Sequence, residues 1–327
     1  MILILTNKDD ITVDFIVNRL KLNNIPYYRL NTEDIPNQIT VDFDVNNDKF
    51  GLYDKSKEKY INLKGVKSVY FRRAEVSTLS YINDISIQEL NYLRSELAFV
   101  LEGVYKILQS KYWLNNVYRI REAENKIYQL QIARKIGFEI PISIISNVPD
   151  TIMETIKKCE NDCILKPIKT GNMKDDETPK VIFTSKIENE IISEEERIQS
   201  FPLFLQKNIH KKCDLRCIVV GEKVFAAQIE SQGVKEAQID WRRSKDYLEH
   251  KIHELPVHIE KMCIQMTKQL NLNYSAIDLI LNEQGDYIFL ECNPNGQWAW
   301  LEKRLGFPIS ESIVNMLVEG SKLDESS

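Results

Sequence analysis

The chain has 327 residues, of which 43% are hydrophobic, and its formal net charge at pH 7 is −5. This length and composition predict a globular protein of two or three packed units and exclude a disordered chain. The acidic balance argues against nucleic-acid and membrane partners. The apolar run MILILT is too short for a signal peptide or a membrane span. The six cysteines form no CxxC pair, which favours reduced, buried thiols in a cytoplasmic protein.

The N-terminal third, residues 1–115, predicts an open α/β unit. Its predicted strands are MILILT, YYRLNT, ITVDFDV and VKSVYFRR, and its predicted helices are Asp10–Leu22 and a long one at about Ser86–Gln109. Leucines and valines recur along the long helix at helical spacing and form one apolar stripe. The pattern breaks around Tyr112–Asn116, where we place the first domain boundary.

The remaining sequence predicts a small central unit, residues 116–204, and a third unit, residues 205–327. The central unit is predicted to contain helix Arg119–Ile136, strand PISIIS, helix Asp150–Cys159, strand CILKPI, the polar loop KTGNMKDDETP and strand KVIFTS. The third unit is predicted to contain the hairpins LRCIVVGEKVFAAQIE and SAIDLILNEQGDYIFLECN, a helix between Pro256 and Leu270, and a C-terminal helix pair. The tail, residues 324–327, is predicted to fray.

The second hairpin concentrates oxygen-bearing side chains. Asp278 lies on its first strand, Glu291 and Asn293 end its second, and the turn makes Asp278 and Glu291 near cross-strand neighbours. Two carboxylates and a carboxamide without a nearby His or Cys favour Mg²⁺ over zinc, and Mg²⁺ usually shares its ligand shell with nucleotide phosphates. The alternative is a surface strand residue followed by an ordinary strand-end turn.

A bound nucleotide needs cations for its phosphates, and neither a GxxxxGK(S/T) nor a GxGxxG loop is present. Lys166 belongs to an otherwise apolar strand, and Lys126 lies near a helix start, where a lysine is unfavourable for the helix dipole. Both are candidate phosphate ligands, and KTGNMKDDETP is a candidate flap over the phosphates. The alternatives are two snorkelling surface lysines and an ordinary polar loop.

The segment FLQKNIHKKCDLR supplies a candidate adenine site. A connector between two units readily presents backbone N–H and C=O groups to an adenine edge. Arg216, on the strand that follows, can stabilise a transferring phosphoryl group, unless Asp214 and Arg216 form only a solvated strand-edge pair. The candidate ATP contacts of this segment are Gln206, Lys207, Asn208, Ile209 and Asp214.

Two adjacent arginines, Arg242 and Arg243, follow Trp241 in the stretch DWRR. Two guanidinium groups beside an aromatic ring suit the binding of a substrate carboxylate or phosphate. The alternative is a plain surface charge patch.

The ordered set of two lysines, connector, Arg216 and the Asp/Glu/Asn group resembles the ATP-grasp superfamily, with the N-terminal unit as its pre-grasp domain. Ribosomal-protein glutamate ligases and glutathione synthetases share the metal set. The amino-acid sequence of several segments is more similar to that of the graspetide maturases, the microviridin-type peptide macrocyclases. That likeness rests on VYFRR, LQKNIHKKCDLRCIVVG, IDWRR and LECNPNGQWAWLE.

The resemblance implies an α/β ATP-grasp ligase that uses ATP and two Mg²⁺ ions. Such an enzyme binds the leader of a precursor peptide through its central unit, near residues 140–200, and links side chains of the core. Asp or Glu is activated as an acyl phosphate and joined to Ser or Thr as an ω-ester or to Lys as an ω-amide. Arg216 and Lys166 are the implied catalytic residues, and a homodimer is expected. The alternatives are an amino-acid ligase like the glutamate ligases and a non-catalytic ATP-binding module.

Overall fold

The computed structural model describes residues 1–169, 172–173, 180–187, 195–244 and 247–323. The chain forms two compact units. The first unit contains Met1–Ile120, Leu272–Tyr274 and Gln297–Ser327, and the second contains Arg121–Asn271 and Ser275–Gly296. The division into three domains at residues 115 and 204 remains a prediction. Among the described helices, none combines the length and the apolar character needed to cross a membrane.

The first unit is built on a parallel sheet. Its elements up to residue 113 are β1 (Ile2–Thr6), α1 (Ile11–Leu22), β2 (Tyr27–Asn31), β3 (Ile39–Asp44), β4 (Lys49–Asp54), β5 (Lys59–Asn62), β6 (Ser68–Phe71), α2 (Ile87–Ile107) and β7 (Tyr112–Trp113). The parallel sheet has the strand order β2-β1-β6-β7, and β3, β4 and β5 form a separate antiparallel sheet. Strands β4 and β5 were not predicted, because both are short and are bounded by charged and turn-forming residues.

Apolar side chains from the sheet and from α2 form the core of this unit. Leu3, Leu5 and Val69 of the sheet are fully buried and share one cluster with Leu101 and Val104 of α2. The predicted long helix is present, and a capping box of Ser86 and Glu89 begins it. At the other end of the chain, Trp298 is fully buried and packs edge-on against Phe15 of α1.

The described part of the second unit contains a four-stranded sheet, a five-stranded sheet and the two-stranded sheet of β10 and β11. The elements from residue 117 onward are α3 (Val117–Ala123), α4 (Lys126–Ile136), β8 (Ser143–Ser146), α5 (Pro149–Lys158), β9 (Cys163–Lys166), β10 (Asn172–Met173), β11 (Lys180–Val181), β12 (Ser185–Lys186), α6 (Glu195–Ser200), β13 (Leu203–Lys207), β14 (Lys211–Val220), β15 (Lys223–Ile229), β16 (His250–Ile252), α7 (Val257–Gln269), β17 (Tyr274–Asn282), β18 (Tyr287–Asn293), α8 (Ala299–Leu305) and α9 (Ile309–Leu323). The four-stranded sheet has the order β12-β9-β13-β8, and the five-stranded sheet has the order β16-β15-β14-β17-β18. Only residues 208–210 connect β13 to β14. Helices α8 and α9 belong to the first unit.

Three predictions for the central region differ from the structure or lie outside it. The single helix Arg119–Ile136 is wrong: the side chain of Asn125 accepts a hydrogen bond from the backbone N–H of Tyr128 and begins a new helix, α4, at Lys126. The strand KVIFTS is divided between β11, which pairs with β10, and β12, which pairs with β9. Most of the predicted flap, at 170–171 and 174–179, and the tail at 324–327 lie outside the described residues.

Candidate active site

The hairpin of β17 and β18 brings the predicted oxygen ligands to one face. Its register pairs Asp278 with Glu291 and Ala276 with Asn293, and a β-bulge follows Asp278. Side chains alternate between the faces of a strand, so Glu291 and Asn293 project from the same face, beside Asp278. The near cross-strand placement predicted from the turn is therefore present.

Asn293 also anchors the turn that follows the hairpin. Its side-chain oxygen accepts a hydrogen bond from the N–H of Asn295 (3.0 Å), and its backbone carbonyl accepts one from Gly296 (3.3 Å). A carboxamide oxygen has two lone pairs, so one acceptor position remains for a ligand. The turn role and the metal role of Asn293 are compatible.

Cationic side chains surround the two carboxylates. Arg216 of β14 donates to Asp278 Oδ1 at 2.8 Å, and Lys126 Nζ lies 3.3 Å from Glu291 Oε2. Arg242 Nη2 lies 2.9 Å from Glu291 Oε1 and 3.4 Å from Asp278 Oδ2, so it bridges both acids. Each of the four carboxylate oxygens therefore contacts a positive charge. The carboxylates of Asp278 and Glu291 therefore stabilise several positive charges at one place, as the ligands of a divalent cation must.

The charge state of Glu291 suits a metal ligand. Burial raises the pKa of this carboxyl, but the charges of Arg242, Lys126 and Lys166 outweigh burial and hold the pKa well below its usual range. Within the described ranges, no group of three or more His, Cys, Asp or Glu side chains is arranged to hold a metal by itself. Two carboxylates and one amide fit Mg²⁺, which usually completes its shell with phosphate oxygens and water.

The two predicted phosphate ligands converge on the same place. Lys126 is the first residue of α4, and besides Glu291 it contacts the carbonyl oxygen of Pro167 (3.1 Å). Lys166 ends β9, and its Nζ lies 3.3 Å from Gln206 Oε1. Burial lowers the pKa of the Lys166 ammonium, while Glu291 opposes that shift. Neither lysine is a snorkelling surface residue.

A cleft lies beside these charges. The space in front of its lining residues, about 550 Å³, is partly open solvent. Its lining alternates apolar and polar groups, among them Ile164, Lys166, Gln206, Lys207, Asn208, Ile209, Asp214, Arg242, Asp278, Ile280 and Leu290. Except for Lys126, the predicted ATP contacts thus share one cavity with Asp278.

The connector is held from both sides. Gln206 is fully buried and donates to Ser143 Oγ (2.9 Å), and Lys207 N–H donates to the carbonyl of Ile142 (2.8 Å). The next residue, Asn208, donates from its backbone and its side-chain amide to Asp162. Gln206 and Lys207 are the last residues of β13, so the linker is shorter than the predicted segment 206–209.

The pairing around Asp214 contradicts the alternative of a solvated Asp214–Arg216 pair. Asp214 is buried, 2.8 Å from Lys211 Nζ, and accepts a hydrogen bond from Ser231 Oγ. Burial raises the pKa of its carboxyl and Lys211 opposes this. Arg216 is two residues further along β14, on the same face of the strand, and pairs instead with Asp278 at 2.8 Å.

The side chains of the two arginines of DWRR contact different groups. Arg242 contacts Asp278 and Glu291, and its short turn is capped by Asp240, which accepts from the Arg242 N–H (3.2 Å). Arg243 donates to the carbonyl of Thr184 (3.3 Å). A role for either arginine in binding a substrate carboxylate remains a prediction.

Gln129 was not predicted, although it fixes the metal hairpin. Its amide donates to the carbonyl of Cys292 (2.6 Å) and accepts from the Cys292 N–H (2.9 Å), so it clamps the residue between Glu291 and Asn293. The signal available in the sequence was a glutamine one turn after Lys126, on a helix whose buried face is otherwise apolar.

Gly296 was also missed. A Cβ atom at this position would lie 2.5 Å from Arg216 Nη2 and would overlap the Cβ of Ala276. The glycine therefore leaves the space in which the Arg216 guanidinium reaches Asp278.

Two adjoining sheets, paired lysines and facing carboxylates beside a cleft define an ATP-dependent ligase of the ATP-grasp class. A model of the MvdD pre-ATP grasp domain matches residues 1–121, and a model of the RimK-like ATP-grasp domain matches residues 123–317. The chain belongs to the RimK-like ATP-grasp family. Members of this family use ATP and Mg²⁺, and the residues described above fit both.

Solved structures resemble the whole chain. Macrocyclase MdnC of Microcystis aeruginosa MRC, bound with precursor peptide MdnA, is 30% identical with a TM-score of 0.86 and covers 98% of this chain and 99% of its own. The Chryseobacterium gregarium RiPP-associated ATP-grasp ligase, in complex with ADP and a leader and core peptide, is 28% identical with a TM-score of 0.87, over 97% of this chain and 96% of its own. A probable alpha-L-glutamate ligase of Pectobacterium carotovorum is 22% identical over 64% of this chain and 68% of its own length. The predicted fold and enzyme class are confirmed.

Proposed function

We propose that this protein is an ATP-dependent macrocyclase of a ribosomally made precursor peptide. The observation that carries the proposal is the likeness over nearly the full chain, including the first unit, to a macrocyclase bound with its precursor and to a ligase bound with leader and core peptides. The glutamate ligases match only about two thirds of this chain. The buried, free cysteines support a cytoplasmic location.

The proposed reaction has two steps. A carboxylate oxygen of a core Asp or Glu attacks the γ-phosphorus of ATP, ADP leaves, and an acyl phosphate forms. A Ser or Thr hydroxyl, or a Lys amine, then attacks the acyl carbon, phosphate leaves, and a proton is released. Each bond removes one water from the peptide overall. The likeness to a microviridin-type enzyme favours the ester.

The site residues have distinct proposed roles in this reaction. Lys126 and Lys166 bind the phosphates, and Gln206–Ile209 with Asp214 line the side that takes adenine. Bound at Asp278, Glu291 and Asn293, Mg²⁺ supplies neutralisation of phosphate charge, and two ions are proposed.

Arg216 is placed to stabilise charge on the phosphoryl oxygens and on the tetrahedral intermediate. Its guanidinium is buried and held by Asp278, so it needs little reorganisation during the reaction. Arg242, with Arg243 as the second candidate, is proposed to hold the incoming carboxylate once nucleotide has displaced it from Glu291.

Mass spectrometry tests the proposal. The protein is incubated with ATP, Mg²⁺ and a peptide encoded by a short reading frame beside its own gene, with a core rich in Ser, Thr or Lys and in Asp or Glu. We expect the peptide to lose the mass of one water for each bond, with ADP formed in equal amount. Intact peptide mass, with ADP formed only when free glutamate is supplied, would reject the macrocyclase.

The second candidate is a ligase that adds glutamate to a peptide or protein, and the similarity to the glutamate ligases favours it. It predicts a gain of one glutamyl residue rather than a loss of water. A non-catalytic ATP-binding module predicts neither, although all of the predicted ligands are retained. The leader is proposed to bind residues near 140–200.

We also propose a homodimer, and helix α2 supports it. The stripe that contains Leu97 faces this unit, because Leu97 packs against its core. Tyr92 and Phe99, seven residues apart on another face of the same helix, are 63% and 76% exposed. Exposed aromatic side chains at helical spacing mark an interaction surface, and two-fold pairing of α2 with a second copy would bury them.

Light scattering tests this assembly. We expect a mass of twice the 38.2 kDa chain, and a monomer when Tyr92 and Phe99 are both replaced by Glu. Val45→Glu, at an apolar residue that is 75% exposed and lies away from α2, is the control and should stay dimeric. A wild-type monomer at high concentration would contradict the proposal.

A further inference from the structure

The stretch VYFRR, residues 69–73, ends at the carboxyl edge of the parallel sheet of the first unit. Strands β1 and β6 are parallel neighbours, and their connections leave to opposite sides, toward β2 and toward β7. In open α/β sheets, ligands bind at the carboxyl ends of the strands where the strand order reverses in this way. The groups found there are Thr6 and Asn7 after β1, and Arg72 and Arg73 after β6.

Arg72 and Arg73 differ in burial and in ion pairing. Arg72 is 1% exposed, and its Nε lies 2.7 Å from the buried carboxylate of Asp10. Arg73 is exposed, and in the described part of the chain it forms no ion pair. Desolvation of the guanidinium, and then the neighbouring charge of Arg72, lower the pKa of Arg73, while the charges of Asp10 and Glu75 oppose this shift. The charge of Arg72 is buried and neutralised by Asp10, whereas the charge of Arg73 is available to an anionic ligand.

The backbone holds Arg73 in a costly conformation. Its φ is +51°, in the left-handed region that non-glycine residues rarely adopt. The side chain of Asn7 fixes this geometry by donating to the Arg73 carbonyl (2.9 Å). Such strain, when it persists, concentrates at binding and active sites.

The loop after Arg73 is also fixed. Thr32 Oγ1 accepts from the N–H of Glu75 (2.8 Å) and contacts its carbonyl (2.7 Å). Arg94 of α2 donates to the carbonyl of Thr78 (2.7 and 3.1 Å). Thr6 Oγ1 and Asn7 Oδ1 are buried polar atoms without a hydrogen-bond partner among the described residues. This edge is rigid, yet its polar groups are not satisfied by the protein itself.

We propose that this edge, which we call the Arg73 site, binds an acidic side chain of the peptide substrate, with Arg73 as the residue that contacts the carboxylate. A guanidinium presents a planar fork that matches a carboxylate, and here it is preorganised and unbalanced. The acids whose charges reach Arg73 are Asp10, which is paired with Arg72, and Glu75, which forms no ion pair with Arg73 among the described residues. The identification of the ligand as a peptide rests on the proposed function.

Binding without nucleotide tests the site. The probe is a fluorescent, acetylated hexapeptide of alternating Thr and Glu, and its partner probe carries Gln in place of Glu. We expect Arg73→Gln to weaken binding of the Glu peptide about tenfold, the loss typical of one charged hydrogen bond. Arg73→Lys should be intermediate, because it keeps the charge and loses the fork. The Gln peptide should bind wild type no better than the Glu peptide binds Arg73→Gln.

Arg19→Gln is the matched control. Arg19 lies in the same unit, 3.6 Å from Glu311 in a largely exposed pair, so its loss removes one positive charge elsewhere. It should bind the Glu peptide as wild type does. Unchanged binding of Mg²⁺ and ADP by each variant shows that the second unit is intact.

Equal behaviour of wild type and Arg73→Gln, including no binding by either, would overturn the inference. Displacement of the peptide by inorganic phosphate as readily as by free glutamate would overturn the carboxylate assignment. Removal of water from a precursor by wild type, with peptide binding unchanged in Arg73→Gln, defeats the Arg73 site alone. Peptide binding through Arg73 without any loss of water defeats the macrocyclase alone.

Discussion

Each unit buries an arginine–aspartate pair, and the two pairs differ in what surrounds them. In the first unit, Arg72 and Asp10 have side chains only 1% and 2% exposed, and they balance each other. In the second unit, Arg216 and Asp278 are 8% and 5% exposed, but the second oxygen of Asp278 faces Arg242, which is 45% exposed. A sealed pair can only stabilise the fold, whereas a pair beside a half-exposed cation can exchange that cation for a ligand.

The largest loss of activity should come from the open cluster, by which we mean Arg216, Asp278, Arg242 and Glu291 in the second unit. Replacing Glu291 by Gln removes the charge that two cations and the proposed metal share, and we expect kcat to fall about a thousandfold or more. The melting temperature should stay near that of wild type, since Gln keeps the shape and can still accept a hydrogen bond. Steady-state ADP release measures the loss.

Glu283→Gln is the control for this change, because Glu283 lies exposed at the tip of the same hairpin. It should retain full activity. A fully active Glu291→Gln variant would sink the metal assignment and, with it, the contrast between the two clusters.

Mutation of the buried Arg72–Asp10 pair, the sealed pair, should lower the stability of the protein and leave its catalytic activity unchanged. Asp10→Asn leaves Arg72 buried without a counter-charge, and we expect the free energy of unfolding to fall by about 3–5 kcal/mol. Asparagine still caps α1, so the change isolates the charge. Urea titration measures it.

Asp14→Asn provides the comparison, because the Asp14–Arg29 pair is partly exposed and should be worth about 1 kcal/mol or less. If Asp10→Asn costs no more than Asp14→Asn, the sealed pair is not a stabilising element.

Gly296→Ala should disturb the open cluster without removing a charge. The new methyl group would meet Arg216 Nη2 and force the guanidinium away from Asp278. We expect activity to fall about tenfold to a hundredfold, and stability by about 1–3 kcal/mol from overpacking. Gly233→Ala, where a Cβ would meet nothing within 4 Å, should be neutral in both measurements. Comparable losses in the two variants would mean that the close contact with Arg216 is unimportant.

The smallest effect should appear in the pH dependence of ATP binding. Only the protonated Lys166 attracts phosphate, and burial holds its pKa below the ordinary value for lysine, about 10.4. The cation is therefore lost as pH rises, at lower pH than for an exposed lysine. We expect affinity for ATP to weaken by up to about tenfold on the alkaline side, and Lys166→Arg, which stays charged, to abolish the trend. A trend that persists in Lys166→Arg would assign the titration to another group.

The sequence predicted the parts of the site that follow from local periodicity. Asp278 and Glu291 lie on consecutive strands joined by a turn at Asn282–Gly285, so alternation alone places them side by side. Lys166 was identifiable because a lysine in an apolar strand needs a partner.

What the sequence could not predict depends on contacts between distant segments. Arg242 reaches Glu291 from a short turn 49 residues away, and Gln129 reaches Cys292 across 163 residues. No local pattern encodes such distances. The break before Lys126 was missed for a different reason, because one capping asparagine interrupts a pattern that is helical on both sides.

Arg242 has a consequence for the order in which ligands bind. It already neutralises Glu291 and Asp278, so free Mg²⁺ must compete with a tethered cation and should bind weakly alone. When metal and nucleotide enter together, the metal replaces the Arg242 guanidinium at the two carboxylates. The phosphates then offer that guanidinium new anionic partners. The protein should therefore stay folded in a chelator and take up its metal as the nucleotide complex.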